Sequence, residues 1–436
     1  MKVLWFTNIL MPDACSHLGL PVRVGSGAWM IALLERLKQH PDIELAVVSR
    51  GGRRDYHCQA DRVEYFIVKT PFAKLVRSHL RLSGAVSPSD SQLGAYASIV
   101  NDWDPDIVHV HGTECGFGLI KARGLTSKPV VVSIQGLVAP CAAYAYGDLL
   151  PVELHGALRS LIGVKPVCLR RRQSFVEMVP AEEAVLRSAD MVLGRTQWDH
   201  AWAWRCRPGV RYRHVEEIMR PEFYEAAPWC MADCRRYQVF CTTQDYPLKG
   251  LHVLLQAVQI LRQVFPKVKL NVAGDGFAPV PKSDYARYVW RLIRKWKLED
   301  AIEFLGFLDA RGIAEQLKQA NCYVTPSFIE NSCNALQEAM LVGTPCVATS
   351  VGGNLTTIAP ERTGLMFPAG DATLLAWQVA RIFREENTAS RLGVEARIIA
   401  KKRNSPALAE EQILAAYREL DTRGQLTKKV GYGFRD

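Results

Sequence analysis

Short runs rich in valine and isoleucine alternate with segments of helical period along most of this chain. The runs fall at residues 3–6, 45–48, 107–110, 130–134 and 191–193, and again at 239–242, 270–273, 302–305, 322–325 and 346–348. A strand with one face in water alternates apolar and polar side chains, whereas a strand covered by helices on both faces is apolar throughout. Between the runs apolar residues return at helical spacing, as Met30, Leu33, Leu34 and Leu37 do after Gly27. The chain therefore reads as α/β with parallel sheets. A stretch rich in Trp, Arg and Pro, residues 202–229, interrupts the pattern, which restarts near Phe240. Two doubly wound domains are expected, 1–215 and 216–395. A C-terminal helix and polar tail follow at 396–436, the helix free to pack back on the first domain. Each domain has about 200 residues, enough for one core. Open α/β sheets bind ligands at the carboxyl ends of their strands, so a cleft between two such domains is the expected site.

Charge narrows the partners. The chain of 436 residues carries 54 Lys+Arg against 44 Asp+Glu, a formal +10. Residues 65–89 hold Lys69, Lys74, Arg77 and Arg81 with no acid, and residues 154–176 hold Arg159, Lys165, Arg170, Arg171 and Arg172 with none. Nearly all the excess is thus local. In the first stretch bases interleave with Phe72, Leu75, Val76, Leu80 and Leu82, which on a helix gives a cationic face beside an apolar one. Such a helix suits an anionic membrane interface, or simply covers a domain core. No helix-turn-helix, zinc-finger or aromatic RNA-binding signature is present, so nucleic acid is not the expected partner. The twelve cysteines include no C-x-x-C pair, which points to reduced thiols in a cytosolic protein, peripheral at the inner face of the cell membrane where it meets one. The start of the chain reads as a buried strand rather than a signal peptide, and no run of 18 apolar residues occurs.

Two segments carry chemistry. Gly25-Ser26-Gly27 precedes a helix whose first N–H groups could receive a phosphate; the alternative is a flexible loop at a helix start. The stronger segment runs from Cys322 to Met340. A strand ends at Thr325, a short loop carries Glu330, and a helix opens near Ser332 to Asn334 with Glu338 about one and a half turns further on. Two glutamates alone are ordinarily solvated surface charges. Their place at a strand end, followed by Gly343-Thr344-Pro345, a buried strand and Val351-Gly352-Gly353-Asn354, makes a site.

The frame Pro-Ser-x-x-Glu…Glu-Ala-Met…Gly-x-Pro-x-Val-Ala, with seven residues between Glu330 and Glu338, resembles the hallmark of retaining glycosyltransferases of family 4, the group 1 glycosyl transferases of polysaccharide biosynthesis. Pro105-Asp106-Ile107-Val108-His109-Val110-His111-Gly112, Lys249-Gly250, Val272-Ala273-Gly274-Asp275-Gly276 and Phe304-Leu305-Gly306-Phe307 are similar to further family segments, covering roughly residues 2–383. The resemblance implies the GT-B fold, two Rossmann-like domains facing across a cleft, an N-terminal acceptor side and a C-terminal donor side. It implies that Glu330 contacts the transferred sugar, that Glu338 holds the ribose hydroxyls, and that Lys249 with N–H groups near Ser332, Cys333 and Asn334 neutralises the departing diphosphate. Gly25 and Gly27 would close over the phosphates, while Gly306 and Phe307 would border the base. No metal and no cofactor are implied beyond the nucleoside-diphosphate sugar itself.

Two departures stand out. The family commonly has Arg five or six residues before the lysine, where this chain has Gln244 and Thr243, and a His where this chain has Gln135. Rearranged contacts or weakened catalysis would follow. Arg195, at a strand end, is a candidate to restore the missing cation; otherwise it is structural. His111 is a candidate to face the acceptor, together with Gln135; otherwise it is a turn residue. His109, between Val108 and Val110, reads as core. The reading is a sugar transfer from a nucleotide sugar to a saccharide or lipid-linked acceptor, with residues 65–89 and 154–176 meeting an anionic membrane surface. A sugar-nucleotide epimerase or hydrolase of the same fold, and a non-catalytic nucleotide-sugar-binding protein, are the alternatives.

Overall fold

The computed structural model describes residues 1–22, 27–70, 87–155, 167–278, 280–281 and 283–421. Contacts divide the chain into two units. The first comprises Met1–Val138, Val176–Ile218 and the chain from Asn404; the second comprises Ala139–Phe175 and Met219–Arg403.

Unit 1 is built on eight strands: β1 Lys2–Thr7, β2 Glu44–Arg50, β3 Tyr56–Ala60, β4 Val63–Val68, β5 Ile107–His111, β6 Val130–Ser133, β7 Met191–Gly194 and β8 Tyr212–His214. Their order is β3-β4-β2-β1-β5-β6-β7-β8, and every pair is parallel except β3 with β4. Successive side chains of β1 enter opposite cores, Val3 and Trp5 on one face, Leu4 and Phe6 on the other, which is why the run shows no polar face. Met30, Leu33, Leu34 and Leu37 of the helix Ala28–Leu37 cover the first of these faces, as their spacing requires. The C-terminal helix Pro406–Leu420 covers the same face through Ala409, Ile413, Tyr417 and Leu420.

Unit 2 holds β9 Arg235–Thr242, β10 Lys269–Ala273, β11 Ile302–Gly306, β12 Ala320–Thr325, β13 Cys346–Thr349 and β14 Leu365–Phe367, all parallel, in the order β11-β10-β9-β12-β13-β14. A single large core fills it.

In both sheets the order reverses beside the first strand, between β1 and β5 and between β9 and β12. At such a switch point the two connections leave in opposite directions, opening a crevice at the strands' carboxyl ends. All ten apolar runs read from sequence fall in strands, the run 130–134 extending one residue past β6. The stretch expected to be irregular holds part of the helix Gln197–Cys206, β8 and the helix Pro221–Glu225. Of the basic stretches, residues 71–86 and 156–166 lie outside the described residues, and Arg170 to Arg172 fall in unit 2. Among the described residues no helix is long and apolar enough to cross a membrane.

Candidate functional site

The loops after β9 and β12, which flank the switch point of unit 2, are drawn tightly together. The Phe328 N–H donates to the Leu248 carbonyl at 2.8 Å. Gly250, at φ +69°, lets the chain pass so close that a Cβ there would stand 2.0 Å from the Pro326 carbonyl oxygen, so no other residue fits. Lys249, held between these two contacts, meets Glu330: Nζ donates to Oε1 at 2.5 Å. The Ser327 hydroxyl donates to the same oxygen at 2.7 Å. From the other side Gly352 presses on the Glu330 carbonyl, where a Cβ would approach to 2.1 Å, and the Gly353 N–H donates to it at 2.9 Å. Burial alone would depress the Lys249 ammonium, but the Glu330 carboxylate beside it holds it above the ordinary lysine range, and it stays charged.

The helix Asn334–Val342 starts four residues after Glu330, with Cys333 as its N-cap. The Ser332 hydroxyl accepts from Gln337 Nε2 at 2.8 Å. Burial pushes the Cys333 thiol up to about 12, so it is a neutral group there. Asn334 Oδ1 is buried at the helix start with no hydrogen-bond partner among the described residues, a polar atom that a ligand could satisfy. Glu338 does not meet Glu330. It is 6 % exposed and is gripped by Arg220, whose Nε and Nη2 donate to its two oxygens at 2.8 Å each. Burial raises the Glu338 carboxyl above its ordinary value and Arg220 opposes that rise. Arg220 was not singled out in the sequence; nothing in its spacing marks it.

Gln244 is exposed in the loop after β9, its carbonyl accepting from the Tyr246 N–H at 2.8 Å. Gly306, at φ +67°, ends β11 and accepts from the Gly274 N–H at 2.8 Å, and Phe307 beside it is 55 % exposed. The candidates Gln244, Lys249, Gly306, Phe307, Glu330 and Asn334 therefore share one end of the sheet.

Unit 1 carries the remaining candidates. His109 is fully buried, as its alternation required. Trp5 Nε1 can only donate, so the Tyr417 hydroxyl accepts from it at 2.9 Å and donates to His109 Nδ1 at 2.6 Å. His109 Nε2 then donates to Ser133 Oγ at 2.7 Å. His111 is 1 % exposed, with its ring 3.8 Å from that of His109 and 4.3 Å from that of Trp5. Neither of its ring nitrogens has a partner among the described residues, and it lines a pocket with Trp29, Ser133, Arg195 and Glu216. Arg195 is not a spare cation. It is 4 % exposed, ion-paired with Glu217, and its Nη2 donates to the Ile134 and Gln135 carbonyls at 3.3 and 3.2 Å. Gln135 Nε2 also lies 3.7 Å from Met30 Sδ. Gly27, at φ +66°, caps the helix Ala28–Leu37; Gly25 lies outside the described residues.

Asp-x-Asp spacing occurs at Asp102, Asp104 and Asp106. Asp104 and Asp106 stand before β5, at the amino end of the sheet, where Asp106 accepts from the Lys2 N–H at 2.7 Å and Asp104 pairs with Lys128. Asp13, Glu35 and Asp61 group closely enough to hold a cation, but they surround the Lys38 ammonium, which is 3 % exposed.

Residues 235–398 match the family model described as glycosyl transferases group 1. A phosphatidyl-myo-inositol mannosyltransferase of Mycobacterium leprae is 29 % identical over 187 residues, 43 % of this chain and 47 % of that protein. A putative colanic acid biosynthesis glycosyltransferase, WcaL of Escherichia coli, is 30 % identical over 138 residues, 30 % and 32 % of the two chains. The chain thus matches less than half the length of these curated relatives. Among solved structures, the sucrose-phosphate synthase from Thermosynechococcus elongatus superposes with a TM-score of 0.71 at 18 % identity, covering 96 % of this chain and 99 % of that one. HepE of Anabaena, in complex with UDP and glucose, gives 0.63 at 17 % identity over 95 % and 99 %. The two doubly wound sheets are therefore those of the GT-B fold, and the second unit carries the segment similar to glycosyl transferases group 1.

Proposed function

We propose that this protein is a retaining glycosyltransferase that moves a sugar from a nucleoside-diphosphate sugar to a saccharide or lipid-linked acceptor in cell-surface polysaccharide assembly. The observation that carries the reading is the meeting of Lys249 and Glu330 at the switch point of unit 2, beside the start of the helix Asn334–Val342. Transfer breaks the bond between the anomeric carbon and a phosphate oxygen. Positive charge grows on the sugar and negative charge on the diphosphate, while the acceptor hydroxyl bonds to the carbon and passes its proton to the departing diphosphate oxygen. A fixed ammonium and helix N–H groups favour the departing diphosphate without reorganising, and a carboxylate favours the cationic sugar. Glu338, aligned by Arg220, is the proposed ribose acceptor, and Gly306 and Phe307 border the base. Lys249 and the helix start supply the charge that a metal supplies elsewhere, so the proposed reaction needs none. On the acceptor side His111 and Gln135 are the proposed contacts. An anionic membrane surface, met through residues 65–89 and 154–176 at the inner face of the cell membrane, is the proposed place of work.

A thermal-shift panel of UDP, GDP, ADP and their sugars selects the donor, because a ligand of the folded state raises its melting temperature. With that donor, Glu330→Gln is expected to remove transfer while the protein stays folded; full activity in that variant would overturn the assignment. Donor incubated without acceptor should stay intact. Rapid conversion would instead mark an epimerase or hydrolase. Liposomes containing anionic lipid should retain the protein at low salt and release it at high salt.

A further inference from the structure

The described residues 139–155 and 167–175, a strap between β6 and β7 in sequence, pack with unit 2. Its contacts there gather at the carboxyl end of the sheet. Asp148 Oδ1 stands 2.7 Å from His252 Nε2, a Cβ on Gly147 would lie 2.8 Å from the Phe328 ring, and Arg171 Nη1 donates to the Asp245 carbonyl at 3.3 Å. Phe328 comes two residues before Glu330, and Asp245 four before Lys249, so this strap touches both loops of the candidate site.

Arg171 differs from the other cations of unit 2 near the site. Lys249 is paired with Glu330 and Arg220 with Glu338. Arg171 is held by neutral groups: its guanidinium carbon lies 4.5 Å from the centre of the Tyr246 ring, and its hydrogen bond goes to a backbone carbonyl. The Asp245 carboxylate accepts the Ser283 hydroxyl at 2.6 Å and is favoured by the Arg171 charge without pairing with it. Among the described residues no carboxylate is within ion-pairing distance of Arg171. The site is nonetheless near. Burial raises the Tyr246 phenol; Lys249 and Arg171 both oppose that rise and Glu330 adds to it, so all three charges bear on one ring.

A diphosphate brings at least two negative charges. The single charge of Lys249 is already balanced by Glu330, and a helix start contributes about half a charge. We infer that Arg171 supplies the second full positive charge to the diphosphate of the donor, making the strap part of the nucleotide site. The inference rests on the donor reading above. A planar guanidinium resting on an aromatic face keeps its remaining N–H donors in one plane, suited to two phosphate oxygens at once. The ligand class is thereby a nucleoside diphosphate in preference to a monophosphate.

Calorimetric titration of the full chain with UDP, GDP and ADP, and with UMP, GMP and AMP, tests this in the unsubstituted protein and in Arg171→Ala, Arg171→Lys and Lys249→Ala. For the diphosphate that binds, Arg171→Ala should weaken affinity by about 10-fold or more, the usual worth of a hydrogen bond to a charged group. Monophosphate affinity and the ligand-free melting temperature should stay the same, and Arg171→Lys should recover part of the loss. An equal loss for mono- and diphosphate, or a lowered melting temperature in both Arg171 variants, would show the residue only anchors the strap and overturns the inference. Diphosphate binding that needs Lys249 but ignores Arg171 also overturns it and leaves the donor reading standing. Failure of the unsubstituted protein to bind any diphosphate removes both.

Discussion

The two sheets follow one plan and differ in what stands at their carboxyl ends. In unit 2 the strands flanking the switch point present full charges, Lys249 with Glu330, and Arg220 aligns Glu338 on the helix that follows β12. In unit 1 the corresponding edge presents rings: burial lowers the pKa of His109 to about 3, and burial followed by the neighbouring His109 holds His111 well below the ordinary value. Arg195, buried there, is held by Glu217 and two carbonyls. A charged edge can meet a phosphate by re-partnering ions it already holds. A neutral edge offers only hydrogen bonds and shape, which suits hydroxyl groups. Among the described residues the two sheets thus differ in where they keep charges and where burial removes them.

The contrast can be broken at several points. Arg195→Met should remove the cation paired with Glu217 inside unit 1 and cost about 3–5 kcal/mol, whereas Arg195→Met with Glu217→Leu should regain most of it, since an apolar pair can replace a buried ion pair. Denaturant titration reads both, and a single substitution with no loss would mean that the pair is not closed to water.

Lys249→Ala acts on function: kcat should fall by about 100- to 1000-fold, as when one preorganised donor to a developing charge is lost. Steady-state kinetics checks it.

Acid acts next through the buried groups of each unit. An unfolded His109 takes up a proton near pH 6.5, but the folded one does so only near pH 3, so the unfolded state binds more protons between these values. Stability from this group is complete above pH 6.5 and is lost as pH falls, by about 2 kcal/mol at pH 5. Glu338 moves the other way: burial raises its carboxyl, so its folded form takes up a proton before the unfolded one does. Glu114 of unit 1, which burial raises to about 7, also takes up its proton first when folded and offsets His109, so differential scanning calorimetry from pH 7 to 5 should show Glu114→Gln losing stability more steeply than the unsubstituted protein.

The smallest effect should be common to both. Thr196 and Asp371 cap helices by accepting the N–H of Asp199 and Leu374 at 3.1 and 2.8 Å, and Thr196→Ala or Asp371→Ala should cost about 1 kcal/mol each. Unequal losses would show that the caps do more than close a helix end.

Much of this molecule was legible in its residues, for reasons that also mark the limits. Nine of the ten strands legible in the sequence announce themselves because both of their faces are buried; β11, at the sheet edge and only partly buried, shows as an apolar run. The hairpin of β3 and β4 does not: its turn residues, Asp61 and Arg62, have φ of +44° and +68°, a conformation usually signalled by Asn-Gly or Asp-Gly. β8 and β14 have three residues each, too few to show a period. Lys249 and Glu330 were found because each follows a buried strand in a recognisable frame. Whether Arg195 is a spare cation or a structural one stays open in the sequence, which shows the charge of a residue but not its partner.

What the sequence alone determined is whatever depends on neighbours along the chain: which runs are strands and which helix faces are apolar. Tertiary structure decided the pairings: Lys249 with Glu330, Arg220 with Glu338, Arg195 with Glu217, Tyr417 between Trp5 and His109, and the strap of described residues 139–155 and 167–175 against a sheet that starts about 60 residues after it. Burial and charge compensation are properties of a place in space, and residues far apart in the chain share a place only after the sheets have formed.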